Sequence, residues 1–300
     1  MIHREGQFAG HGGLRLYWQA WLPEAETRAA LLVAHGYGEH GGRYGNLVER
    51  FVPRGFAVYA LDHRGHGRSE GPRGHVGRFT ELVADLHALR VRVEEMERGR
   101  PLFLLGHSLG GLIAVGYLLT HASGLAGAVL SSPALALAER PPRPLRWLAR
   151  GLSIVAPRTS LRGNVRPELL SRDSAVGAAY VTDPLVHRRA TARFFTEFER
   201  AARDAEERAP EIRLPVLVLQ AGDDRLVQAA AAERFAARLG SEVKELRVYS
   251  GLFHEIFNET ERERVFADLE RWMEARLAAA AAAGDELRRP ASSAIARRSS

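Results

Sequence analysis

The chain has 300 residues, 46% of them hydrophobic and 26% charged, which excludes a stapled mini-protein and a disordered polypeptide and leaves an ordinary globular protein with a large core. It contains no cysteine, so disulfides, thiolate nucleophiles and cysteine-based metal sites are removed together. The formal charge is +6, with Lys244 the only lysine among 42 basic residues, but arginines and acids are interspersed without long runs of one sign, which argues against nucleic acid as a partner.

The amino terminus, Met1-Ile2-His3-Arg4, lacks the basic stretch and apolar run of an export signal, and the expectation is a cytoplasmic protein. Residues 14–21 alternate in polarity as an antiparallel edge strand does. Short apolar runs at 30–34, 56–61, 102–105, 128–130, 216–219 and 246–249 then read as strands, mostly buried on both faces. Between them, 44–53, 79–97, 109–120 and 228–239 suit helices. That alternation predicts an α/β protein, a mostly parallel central sheet with helices on both faces. Residues 101–138 hold no charged side chain and exceed the roughly 20 needed to cross a bilayer. However, Gly106, Ser108, Gly110 and later Ser131-Ser132-Pro133 punctuate the stretch as strand, helix and strand.

The alternation breaks over 134–209, where Pro141, Pro142 and Pro144 open an arginine-dense segment of short helical patterns. Residues 134–209 are therefore expected to be a cap inserted between two parts of the core, 1–133 and 210–283, with 284–300 a disordered tail. Within the cap, Leu145, Leu148, Leu152 and Val155 fall on one helical face, Arg143, Arg146 and Arg150 on another, and Trp147 adds an aromatic. Such a helix either meets a membrane surface transiently or packs the cap onto the core, and both readings stand at this point.

Gly106-His107-Ser108-Leu109-Gly110 follows an expected strand and opens an expected helix, the context of a nucleophile elbow. The turn is sharp, so small residues are needed two positions to either side of the serine. A serine hydroxyl also needs a base held by a third group, and after an elbow serine the acid precedes the histidine in the chain. Asp224 follows the strand at 216–219 and His254 the strand at 246–249, where a parallel sheet places its active site. His254 is thus the candidate base and Asp224 its orienter, preferred over Asp223 for the Asp-x-x-Val spacing. Two N–H donors are needed for the tetrahedral oxyanion. The backbone of Leu109 offers one, and Tyr37, in His35-Gly36-Tyr37-Gly38, the other. His63, His66 and His75 lack carboxylates at metal-ligand spacing, so neither a metal nor any cofactor is expected.

Beyond the elbow stand His35-Gly36-Tyr37-Gly38-Glu39-His40-Gly41-Gly42-Arg43-Tyr44, Asp62-His63-Arg64-Gly65-His66-Gly67-Arg68-Ser69, Asp224-Arg225-Leu226-Val227 and Phe253-His254-Glu255. Together these motifs resemble the α/β-hydrolase superfamily and, within it, the monoacylglycerol lipase and lysophospholipase-like serine hydrolases. The resemblance implies an α/β-hydrolase fold whose cap covers an acyl channel, and a small-molecule acyl ester as substrate, most naturally a monoacylglycerol or another medium-to-long acyl ester. A general carboxylesterase, lysophospholipase or thioesterase remains open, as does a catalytically silent binding protein. By the same resemblance Glu39 and Arg43 support the oxyanion loop or the alcohol pocket, or else form a salt bridge at a helix start. Phe257 is, with Glu39 and Arg43, a candidate substrate contact by that resemblance: it occupies the position, three after the base, where animal members of the family place a glycerol-contacting histidine, and a phenyl ring there weakens the case for glycerol selectivity. Acyl length, physiological substrate and oligomeric state have no sequence signature here.

Overall fold

A computed structural model describes residues 1–162 and 165–288. Ten strands and eight α-helices occur among them. The core begins with β1 (Ile2–Ala9), β2 (Arg15–Leu22) and β3 (Ala29–Ala34), followed by α1 (Gly45–Phe51), β4 (Phe56–Leu61), α2 (Thr80–Met96), β5 (Leu102–His107), α3 (Leu109–His121) and β6 (Gly127–Ser131). Residues 134–209 contribute α4 (Arg143–Val155), β7 (Ser160–Arg162), α5 (Ser174–Thr182), β8 (Arg189–Thr191) and α6 (Ala192–Arg208). The chain returns to the sheet with β9 (Val216–Ala221), α7 (Ala229–Arg238), β10 (Lys244–Tyr249) and α8 (Arg262–Arg288).

One sheet of eight strands runs in the order β1-β2-β4-β3-β5-β6-β9-β10, with β2 antiparallel to both of its neighbours, β1 and β4, and every other pairing parallel. Alternation along each buried strand separates two cores. Ala30, Leu32 and Ala34 of β3, with Leu102 and Leu104 of β5, face α2, α3 and α7. Leu31 and Val33, with Phe103 and Leu105, face α1 and α8, where Phe51, Phe266 and Trp272 fill the space. A strand covered on both sides has no polar face to show, which is why these segments read as continuous apolar runs.

Two features differ from the sequence expectation. The segment around 14–21 is strand β2, but it is not the edge, because β1 pairs along its outer side from Ile2↔Leu22 to Ala9↔Arg15. Most of β1 is exposed, so it carries no apolar period to read. The last helix also continues to Arg288, beyond the alanine run, while 289–300 of the expected tail lie outside the described residues. Among the described residues of 134–209 the chain forms three α-helices and a two-stranded antiparallel ribbon, β7–β8, and none of these strands joins the main sheet.

Candidate active site

Ser108 sits between β5 and α3 at φ 54°, ψ −116°, a region that non-glycine residues rarely adopt. The local sequence permits this. A Cβ at Gly106 would strike the Gly110 carbonyl, and one at Gly110 would land on the carbonyl oxygen of Ala34 in the neighbouring strand. Only glycine lets α3 turn back this tightly on the sheet. The turn is fastened by its backbone: Ser108 N–H donates to the Ser131 carbonyl at 2.9 Å, and the Ser108 carbonyl accepts from Gly111, Leu112 and Ala134.

Asp224 follows β9 and His254 follows β10, and the structure brings the two together. His254 Nδ1 lies 2.7 Å from Asp224 Oδ2, with both side chains essentially out of solvent. The other carboxylate oxygen of Asp224 accepts the N–H groups of Leu226 and Val227 at 2.9 and 3.0 Å, while Asp223 is exposed. Burial alone would raise the Asp224 carboxyl, but His254 and the two N–H donors hold it below the usual carboxylate range. His254 is shifted the other way: burial works to lower it, and the charges of Asp224, Glu255 and Glu39 outweigh burial and raise it. His107, with its ring centroid 4.8 Å from that of His254, is held down to about 3 by burial and by His254 itself, so it adds no positive charge at neutral pH.

Tyr37 and Leu109 both border the site. Among the described residues no hydrogen bond engages the backbone N–H of either, so both donors are free for an oxyanion. The loop carrying Tyr37 is braced from three sides. Glu39 Oε1 accepts the Gly36 N–H at 2.6 Å, the Gly38 carbonyl accepts the His187 N–H at 2.9 Å, and the Tyr37 hydroxyl donates to the Arg189 carbonyl. Beneath it, His35 Nε2 accepts the His63 N–H at 2.9 Å and His63 Nε2 donates to the His35 carbonyl at 3.1 Å. Burial lowers both rings, His63 to about 4, so they act as neutral struts. Among the described residues no group of histidines and acids is placed to hold a metal ion.

Above Ser108 and His254 opens a cavity of about 530 Å³. Its floor comes from the core, including Leu109 and Val227, and its walls from 134–209, including Leu145 and Ala149 of α4, Leu169, Leu170, and Phe194 and Phe198 of α6. Glu39 and Arg43 also reach the cavity. Arg43 bridges Glu39 at 2.9 Å, as a salt bridge at this helix start would, but it also clasps Glu255 at 2.8 and 3.0 Å. Phe257 does not line the cavity. The short 3-10 turn Ile256–Asn258 swings it under the loop, where it stacks on Phe266 with ring centroids 5.6 Å apart and joins the core facing α8. Glu255 is the site residue that the sequence reading passed over, because its partner Arg43 lies 212 positions away.

On the outside of α4, Trp147, Leu148, Ile154 and Val155 are exposed, up to 80% for Val155. The positions turned inward are Ala149 and Ser153, with Arg146 held by Glu199 at 2.8 Å. Leu148 and Val155 of the stripe therefore do not pack residues 134–209 onto the core.

The chain is similar to known proteins over most of its length. The family model described as serine aminopeptidase, S33, matches residues 25–261. A monoacylglycerol lipase of Mycolicibacterium smegmatis is 37% identical over 90% of this chain and 96% of its own. A phospholipase of Bacillus subtilis is 32% identical over 82% of this chain and 95% of its own. Among solved structures, the monoacylglycerol lipase of Paleococcus ferrophilus superposes with a TM-score of 0.76 at 34% identity, covering 87% of this chain and 99% of that one.

Proposed function

The chain belongs to the monoacylglycerol lipase-like serine hydrolases of the α/β-hydrolase superfamily and is an ester hydrolase, and on that footing we propose that it cleaves monoacylglycerols or related medium-to-long acyl esters through Ser108, His254 and Asp224. The observation that carries the reading is the buried His254–Asp224 pair opening, together with the strained Ser108, onto one largely apolar cavity.

In this mechanism Ser108 Oγ attacks the ester carbonyl while His254 Nε2 takes its proton, leaving a tetrahedral oxyanion facing the N–H groups of Tyr37 and Leu109. Collapse breaks the bond to the alkoxide, which leaves with the proton from His254, and an acyl-enzyme remains. Water then attacks with His254 as base, and the acid departs. Asp224 keeps the imidazole in the tautomer with Nδ1 protonated and offsets the charge that forms on it.

Residues 134–209 act as the cap in this reading, their apolar side chains receiving the acyl chain. They hold 14 arginines against 9 acidic residues, beside the exposed Trp147, Leu148, Ile154 and Val155. That combination suits transient contact with a membrane surface from the aqueous side, which supplies an insoluble substrate directly to the cavity. No helix among the described residues is long and apolar enough to cross a membrane.

A second reading, hydrolysis of lysophospholipids, is favoured by Arg140, Arg166 and Arg225 at the cavity, where a phosphate would find cations. One experiment separates the readings and tests both. Purified protein is assayed over monoacylglycerols, lysophospholipids and simple esters of graded chain length, beside Ser108→Ala. A fluorophosphonate adduct confined to Ser108 and loss of turnover in the variant are expected, with the highest kcat/KM on a monoacylglycerol. Full activity in Ser108→Ala overturns the mechanism, and a preference for lysophospholipid overturns the substrate.

A further inference from the structure

Arg43 stands between two carboxylates that belong to different halves of the reaction centre. Glu39, on the loop after β3, grips the Gly36 N–H through Oε1 and Arg43 through Oε2. Glu255 follows His254 directly in the chain and receives Arg43 through both carboxylate oxygens, with Asn258 Nδ2 donating a further bond at 2.8 Å. The ring of Tyr180, from α5, covers the Arg43 guanidinium with its centroid 5.0 Å away. Glu255 N–H donates to the Leu170 carbonyl at 2.7 Å, which fixes the backbone on the far side of His254. All three charged side chains are 10% exposed or less, and their 2.8–3.0 Å contacts are those of strong, charge-assisted hydrogen bonds.

The two ends of this chain of contacts must keep register during catalysis. Tyr37 N–H, one residue beyond Gly36, has to meet the oxyanion at the moment that His254 meets the departing proton. Asp224 orients the imidazole about its Nδ1 side but does not connect it to the oxyanion loop. The only continuous run of hydrogen bonds between side chains from that loop to the residue beside His254, among the described residues, passes through Glu39, Arg43 and Glu255.

Resting on the serine-esterase reading above, we propose that Arg43 and Glu255 are positioning residues: the Arg43 guanidinium clamps Glu39 to Glu255 and thereby sets the spacing between the oxyanion donor at Tyr37 and the base His254. The clamp carries two carboxylates and one cation, so it also sets the electrostatic surroundings of His254. The charged and titratable groups around that ring are Asp224 after β9, His107 at the end of β5, Glu39 and Arg43 after β3, and Glu255 beside it.

The test compares Glu255→Gln, Arg43→Gln and Arg43→Lys with the unaltered enzyme in kcat, KM and the pH profile of kcat/KM on a soluble ester. Glu255→Gln removes an anion, so His254 loses its proton more readily and the acid limb moves down by about half a pH unit to one unit. Arg43→Gln removes the cation and moves the limb up by a similar amount, with kcat reduced by about tenfold to a hundredfold and KM within about twofold. Arg43→Lys keeps the charge without the two-pronged grip, so its limb stays in place while kcat falls. Limbs of the two glutamine variants that superimpose on that of the unaltered enzyme overturn the proposal, even if kcat drops, because a merely structural role would do only that. Should Arg43→Gln fail to fold, Glu255→Gln, near in shape and still able to hydrogen-bond, decides the matter. Ser108→Ala in the same series separates the two ideas: turnover by that variant would sink the mechanism itself, whereas an inactive Ser108→Ala with an unmoved Glu255→Gln limb sinks only the clamp.

Discussion

The floor and the roof of the cavity are built on opposite principles. At the floor the groups proposed to react are fixed by backbone or by buried charge: Ser108 by a turn that tolerates only glycine at Gly106 and Gly110, and His254 by a carboxylate that is itself held by two N–H donors. The roof is mostly apolar, with aliphatic and phenyl side chains facing inward beside Arg140 and Arg166, and bare aromatic and aliphatic side chains facing outward on α4. Charge that develops at one place rewards pre-set geometry, whereas a methylene chain rewards only volume and dryness. The contrast implies that damage to the floor should be severe and independent of substrate, and damage to the roof mild and dependent on it.

Four changes would break or sharpen that comparison. The largest effect is expected for Gly110→Val, whose side chain has nowhere to go but the Ala34 and His35 carbonyls; destabilisation of about 4 kcal/mol or more, read by thermal melting, should leave little folded enzyme. Next, Asp224→Asn should leave the fold intact and lower kcat by about 10⁴ on every ester tested, because the amide stabilises the wrong tautomer of His254. At the roof, Phe198→Trp should cut kcat/KM for the longest acyl chain by about tenfold and leave short esters within about twofold. The smallest effect in solution is expected for Trp147→Ser, within about 0.5 kcal/mol of the parent in stability, with its loss visible only as weaker turnover of substrate presented in vesicles. An acyl-length dependence in Asp224→Asn, or a uniform loss in Phe198→Trp, would erase the distinction.

Acidity probes the floor without mutation. In the proposed mechanism His254 must be neutral to accept the proton, and its neighbours raise it above the ordinary histidine value of about 6.5. Turnover in kcat/KM should therefore fall as the pH drops through a point above that value, and the loss should be the same for short and long acyl chains.

The floor was also the legible part of the sequence. Ser108 and Asp224 each follow a buried apolar run, and His254 follows the mostly exposed edge strand β10, whose Leu246, Val248 and Tyr249 stand around Arg247; a parallel sheet delivers the ends of its strands to one rim, so order and spacing suffice to nominate all three. The alternation of helix and strand was readable for the same reason, since strands buried on both faces cannot disguise themselves. What escaped had no such mark. β1 is mostly exposed along its length and so shows no apolar period. Glu255 stands in the Phe253-His254-Glu255 motif, but nothing local gives it a role until Arg43 arrives from the far end of the chain. Phe257 shows the reverse error: a position three beyond the base implied a substrate contact, and the 3-10 turn Ile256–Asn258 folded it into the core instead.

The strained backbone at Ser108 has a consequence for handling the protein. A conformation costing about 1–3 kcal/mol persists only while its surroundings enforce it, and here they are β5, α3 and the neighbouring Ala34 carbonyl acting together. A partly unfolded or aggregated chain would relax that torsion long before losing its helices. With Ser108 as the proposed nucleophile, its covalent labelling is expected to be a folding gauge as well as an activity probe: the labelled fraction should fall as the central sheet comes apart, including in preparations where bulk spectroscopy still looks native.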